Sequence, residues 1–114
     1  MSESICAVVV SYNPEPQLVD NVKRLLPQVD EVVVVDNGSS AKSDLLLLEL
    51  ESTARVQVIR GAENLGIAAA LNTGARYALS AGHAWLATFD QDSTPAIDFV
   101  QRLLDAYAVC PYRE

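Results

Sequence analysis

Two aspartates separated by one glutamine, Asp90-Gln91-Asp92, stand directly behind the apolar run Ala84 to Phe89. Residues two apart in an extended segment point the same way, so both carboxylates can converge on one point. Alone they repel each other; a hard divalent cation, which prefers oxygen ligands, removes the conflict. Asp90 and Asp92 are therefore candidate ligands for Mg²⁺ or Mn²⁺, with a diphosphate completing the set. The plainer use is a solvated loop in which Ser93 or Thr94 caps a helix whose first turn holds Pro95. Asp36 closes another apolar run, Val32 to Val35, and precedes Asn37-Gly38-Ser39-Ser40. It can bond its own turn, or accept the imide N–H of a pyrimidine base or a ribose hydroxyl. Ser11-Tyr12-Asn13 ends a third run, and the Tyr12 ring offers a face for a base to stack on.

These groups need elements that bring them together. Ile5 to Ser11 and Glu31 to Asp36 are nearly all apolar, as strands buried on both faces are. Arg55 to Arg60 alternates apolar and polar, as an edge strand does, and Ala84 to Phe89 reads as a fourth strand. Between them lie helices. Leu18, Val22, Leu25, Leu26 and Val29 recur at helical spacing, with Pro27 near the end. A Leu-rich helix runs to about Ser52, capped by one of Ser39 and Ser40. A third spans Ile67 to about Ala81, with Ala68, Ala69, Ala70, Gly74 and Ala75 allowing a close seat on a sheet. Asn64-Leu65-Gly66 and Asn72-Thr73-Gly74 flank its start, where amide dipoles can face an anionic ligand; packing and capping explain the same glycines. A last helix carries Ile97, Val100, Leu103, Leu104 and Tyr107 on one face.

Strands alternating with helices predict an α/β, Rossmann-like three-layer sandwich around a mostly parallel sheet of four strands. The expected order is 3-2-1-4, with the winding reversed between strands 1 and 4. Ligands in such sheets bind beyond the carboxyl ends of the strands at that reversal. Ser11, Tyr12, Asp36, Asp90 and Asp92 all sit there. His83, in the turn before strand 4, falls at the opposite end and reads as a surface turn residue; Trp85 and the leucine clusters read as core.

The totals narrow the field. At 114 residues the chain is one domain. Its net charge of −7, with no basic run, argues against nucleic acid as a partner. A phosphorylated ligand would need positive charge supplied from elsewhere, which a metal ion does. Cys6 and Cys110 lie at opposite ends in no metal-ligand spacing, so neither a disulfide nor a thiolate site is expected. The acidic start, Met1-Ser2-Glu3-Ser4, is no signal peptide, and no apolar stretch reaches membrane-spanning length. A cytoplasmic protein is expected.

Four segments carry a family resemblance. Ala7-Val8-Val9-Val10-Ser11-Tyr12-Asn13-Pro14 and Val33-Val34-Val35-Asp36-Asn37-Gly38-Ser39-Ser40 resemble the first and second strands of family 2 glycosyltransferases. Asn64 to Gly74 resembles their third-loop helix, and Phe89-Asp90-Gln91-Asp92-Ser93 their Asp-x-Asp segment. The Asp-Gln-Asp-Ser form is particularly similar to bacterial rhamnosyltransferases of polysaccharide and O-antigen assembly. The resemblance covers nearly the whole chain, in the family's order and spacing. It implies a GT-A fold binding a nucleotide-diphosphate sugar, dTDP-L-rhamnose or a UDP-sugar, for metal-dependent inverting transfer. Tyr12 and Asp36 would hold the base, with Ser11, Asn64, Gly66 and Asn72 around the nucleotide. Asp90 would reach the ribose or the metal, and Asp92 would ligate the ion. The acceptor would be a saccharide or a lipid-linked saccharide, with the full-length enzyme cytoplasmic or peripheral at the inner membrane face. The general base that the family carries downstream is expected beyond Glu114, so the chain reads as a truncated GT-A fold, its nucleotide-sugar-binding half, inactive by itself.

Two other readings compete. Asp90-Gln91-Asp92-Ser93-Thr94 also fits the nucleophile motif of haloacid-dehalogenase-type phosphatases, with Asp90 as nucleophile. That motif normally follows the first strand of its core, whereas three strand–helix units precede it here. The other is a non-catalytic nucleotide-binding or self-associating fragment, in which an open sheet edge favours a homodimer.

Overall fold

The computed structural model describes residues 4–92, 94–96, 98, 100–102, 104 and 105. The apolar runs form strands β1 (Ile5–Ser11), β2 (Glu31–Asp36), β3 (Val56–Arg60) and β4 (Trp85–Asp90). Helices α1 (Gln17–Leu25), α2 (Asp44–Glu51) and α3 (Ile67–Ser80) connect them, with a 3₁₀ turn at Ala41–Ser43 before α2. The strands form one parallel sheet in the order β3-β2-β1-β4, as the alternation of elements predicts. Ser11 pairs with Asp36, and Val10, one residue earlier, pairs with Asp90, so the three polar strand ends finish within one residue of each other.

Period-two alternation sorts β1 and β2 onto two cores. Ala7, Val9, Val32 and Val34 pack against Leu18, Val22 and Leu25 of α1 and Leu47 and Leu50 of α2. Cys6, Val8, Val33 and Val35 face α3, which presents Ala70 and Ala78. The small residues of α3 are used as anticipated: a Cβ on Gly74 would lie 2.5 Å from Val8 Cγ1.

Several expectations change. The Leu-rich run is only half core. A helical turn of 3.6 residues takes Leu47 and Leu50 inside and leaves Leu45 82% and Leu48 54% exposed. Trp85 is half-buried, because β4 lies at the sheet edge. Ser40 takes the N-cap position of the 3₁₀ turn but makes no capping side-chain bond, and the Ser39 hydroxyl is donated to Asp36 instead. His83 is no surface residue: its side chain is 9% exposed and Nε2 lies 2.8 Å from Glu31 Oε1. Tyr77 Oη donates to the other oxygen of Glu31 at 2.5 Å, so Glu31 ties the end of α3 to the amino end of β2. That bond, with burial, raises the Tyr77 hydroxyl to a pKa of about 12. Burial also pushes the Cys6 thiol up to about 11, as an inert core cysteine requires.

Val100 and Leu104 of the final helical segment join the α1 side of the core. Ile97, Leu103 and Tyr107, expected on the same face, lie outside the described residues, as do Ser93 and Cys110. Among the described residues no helix is long and apolar enough to cross a membrane.

Candidate functional site

At the carboxyl ends of β1 and β4 the sheet opens into a cleft of about 430 Å³ lined by Val10, Ser11, Tyr12, Asn37, Asn64, Gly66, Ile67, Asp90, Gln91 and Asp92. A second hollow of about 410 Å³ shares Val10, Ile67 and Asp90 with it and continues over Leu71, Thr88, Phe89 and Pro95. The two form one groove at the reversal of winding, where open α/β sheets bind ligands. Among the described residues its lining carries two carboxylates and no lysine or arginine.

Short polar side chains stitch the loops that frame it. Asp36 is 3% exposed. Its Oδ1 accepts Ser11 Oγ at 2.8 Å and Ser39 Oγ at 2.6 Å, and its Oδ2 accepts the Ser39 N–H at 2.9 Å. The turn use of Asp36 is thus realised in full, and it explains why Ser39 caps no helix. Three of about four lone-pair positions of the carboxylate are filled, leaving one on Oδ2. Asn13, at φ 45°, donates its N–H to Ser39 Oγ and accepts the Ser40 N–H, so the loops after β1 and β2 are tied together.

The entry to α3 is tied down in the same way. Asn37 Nδ2 donates to Asn64 Oδ1 at 2.9 Å, and Asn37 Oδ1 accepts the Leu65 N–H at 3.1 Å. Asn64 Oδ1 also accepts the Gly66 N–H. Gly66 takes φ 94°, where a side chain would be strained, and then α3 begins with no side-chain cap. Among the described residues no capping side chain meets the first-turn N–H groups of α3. Gly38, at φ 83°, presses so close to Glu63 that a Cβ would sit 2.5 Å from its carbonyl carbon.

Of the residues singled out from the sequence, Ser11, Tyr12, Asn64, Gly66, Asp90 and Asp92 share the cleft lining. Asp36 lies behind it, under Ser11. Asn72 does not join them: it lines a separate depression with Ala75, Arg76 and Leu79. Ile67 and Leu71, four apart, turn the cleft-facing side of α3 inward, and Asn72 is carried about 100° further round. Thr94, the last position of the phosphatase-like motif, lines the second hollow, and its hydroxyl is engaged by Asn21 and Gln17.

Three further residues build the site: Asn37 and Gln91 stand in segments that the sequence points to without giving them a role, and Asn21 stands outside those segments. Asn37 and Asn21 are 7% and 4% exposed and wholly engaged in loop bonds. Asn21 had a legible signal, a polar residue inside the apolar stripe of α1 between Val19 and Val22. Gln91, between the two aspartates, holds the main chain of Tyr12 with its side chain.

Known proteins with the same pattern agree on its kind. The model of Glycosyl transferase family 2 matches residues 6–111. The chain is 37% identical over 107 residues to dTDP-rhamnosyl transferase RfbF of Shigella flexneri, covering 90% of this chain and 34% of that protein. It is 33% identical over 104 residues to polyprenol monophosphomannose synthase of Mycolicibacterium smegmatis, covering 87% and 39%. Among solved structures, S. aureus TarS 1-349 superposes with a TM-score of 0.73 at 18% identity, over 92% of this chain and 32% of that one. The same protein in complex with UDP-GlcNAc gives 0.70 at 22% identity, over 92% and 30%. The chain thus spans about a third of the length of these relatives and carries the GT-A fold. It belongs to glycosyltransferase family 2.

Proposed function

We propose that this chain is the donor-binding part of a glycosyltransferase that uses a nucleotide-diphosphate sugar, with dTDP-L-rhamnose the preferred donor, and a saccharide or lipid-linked acceptor. The observation that carries the reading is the make-up of the groove, two exposed carboxylates at the switch point of a GT-A sheet. Among the described residues no cationic side chain lines the groove to meet a diphosphate, which favours a cation to balance its charge. The donors present fit one: Asp90 and Asp92 offer hard oxygen ligands, which Mg²⁺ or Mn²⁺ prefers. When bound, that ion supplies Lewis-acid stabilisation of the leaving diphosphate.

The chain's own residues have the remaining work. The Tyr12 ring, 46% exposed at the cleft, stacks on the base. The open position on Asp36 Oδ2 accepts the imide N–H of thymine or uracil, and the uncapped start of α3 faces the phosphates. Asn64 and Gly66 hold that helix start in place. In the transfer, the acceptor oxygen attacks the anomeric carbon as the bond to the diphosphate oxygen breaks, and a base removes the acceptor proton. Asp90 and Asp92, the only carboxylates among the described residues of the groove lining, would hold the ion and are not assigned the role of base.

Donor preference follows RfbF, whose name specifies dTDP-rhamnosyl transfer, while the TarS complex supports a pyrimidine nucleotide more broadly. Calorimetric titration with dTDP-rhamnose, UDP-glucose and GDP-mannose, each with Mn²⁺, tests the proposal. Tightest binding of dTDP-rhamnose is expected; preference for GDP-mannose would overturn the pyrimidine assignment. A self-associating fragment is the second reading, favoured by the exposed Leu86 on the α3-side face of the edge strand β4.

A further inference from the structure

We infer that Gln91, the middle residue of Asp90-Gln91-Asp92, is a positioning residue that couples the base-stacking ring of Tyr12 to the metal-binding carboxylates. The inference rests on the donor-site reading above and adds a residue and a linkage to it.

The β1–β4 ladder ends where Val10 pairs with Asp90. One residue further, a side chain takes over from the backbone. The Tyr12 N–H donates to Gln91 Oε1 at 2.7 Å, and Gln91 Nε2 donates to the Tyr12 carbonyl at 3.2 Å. Both main-chain groups of Tyr12 are thus held by one amide. Glutamine suits this by its chemistry: glutamate has no N–H to donate, and asparagine is one methylene shorter.

The loop is also held from the helix side. Asn21 Nδ2 donates to the Gln91 carbonyl at 3.1 Å, Thr94 Oγ1 donates to Asn21 Oδ1 at 3.3 Å, and Gln17 Nε2 donates to Thr94 Oγ1 at 3.2 Å. Gln91 shares a peptide bond with each aspartate. A cation that draws the two carboxylates together therefore acts on the residue that fixes Tyr12, and a base seated on Tyr12 acts back on the carboxylates. Reciprocity of binding energies makes the two effects equal.

The test is a double-mutant cycle read by calorimetric affinity for dTDP with Mn²⁺. Tyr12→Ala removes the stacking ring, and Asp92→Glu displaces a metal ligand while keeping its charge, so that binding stays measurable in all four proteins. In the wild-type background the two losses should depart from the product of the single losses by more than about threefold. In the Gln91→Met background, which keeps side-chain size and removes both bonds, they should multiply within that margin. A glutamine that merely stabilised the loop would weaken binding in all four proteins and leave the departure intact. Independent losses in the wild-type background, or a departure that survives Gln91→Met, would overturn the inference. If Gln91→Met does not fold, the wild-type cycle alone decides, independence overturning the coupling. Absence of any dTDP binding by the wild-type chain overturns the donor-site reading as well, whereas binding without coupling overturns only this step.

Discussion

Asp36 serves two demands with one carboxylate. It anchors Ser11 and Ser39 from a nearly buried position, and the proposed function asks its remaining lone pair to meet a base. Removing it should therefore show twice. Asp36→Ala leaves the Ser11 hydroxyl buried without its acceptor, at a cost of about 1–3 kcal/mol in stability. It should also weaken dTDP binding about tenfold or more, since hydrogen bonds to charged groups are worth roughly 1.5–3 kcal/mol. Urea denaturation and calorimetry on the same variant separate the two effects. Lost stability with unchanged affinity would leave Asp36 as a turn residue and nothing more. Asp36 could be picked out from its place behind a buried strand, but which of its two uses prevails depended on two serines, one of them 25 residues away, meeting its carboxylate.

At the scale of elements, α3 is held by close approach at its middle and by a polar clasp at its end. Gly74→Ala would drive a methyl into Val8, and overpacking of this kind costs about 1–3 kcal/mol; a melting temperature equal to wild type would contradict that contact. The clasp predicts a pH effect. Tyr77 titrates near 10 in an unfolded chain and near 12 when bonded to Glu31, so folding favours its protonated form. Stability from this bond is complete below pH 10 and is lost as pH rises from 10 to 12. Tyr77→Phe should lose less stability than wild type between pH 9 and pH 11.5, measured by urea unfolding at both. The element pattern was highly legible because both periods, two and 3.6, are strong in this chain, and strand order followed from parallel connections alone. What sequence could not give was side-chain reach. His83 follows a glycine in a turn and looks solvent-facing, yet it folds back on Glu31, 52 residues away in sequence. Leu45 and Leu48 look like core by type, and only the phase of the helix, fixed by where its first turn starts, puts them outside.

The whole molecule is an acidic domain whose polar ends converge on an acidic groove, which makes the cation central to the account. The fold could be read from the order of motifs; the stitching of the groove by Asn13, Asn37 and Gln91 could not, because these amides lie outside the periodic segments, and Asn21 showed only as a polar break in the apolar stripe of α1. Without a cation, Asp90 and Asp92 meet a diphosphate of the same sign. At about 4 Å and an effective dielectric near 20, such a contact costs about 4 kcal/mol, roughly a thousandfold in affinity. The most direct measurement is calorimetric titration of the 114-residue chain with dTDP in Mn²⁺ and again in excess chelator. The account predicts micromolar-range binding with the ion, loss of detectable binding in chelator, and Asp92→Asn with Mn²⁺ behaving like wild type without it. Equal affinity in Mn²⁺ and in chelator would contradict it.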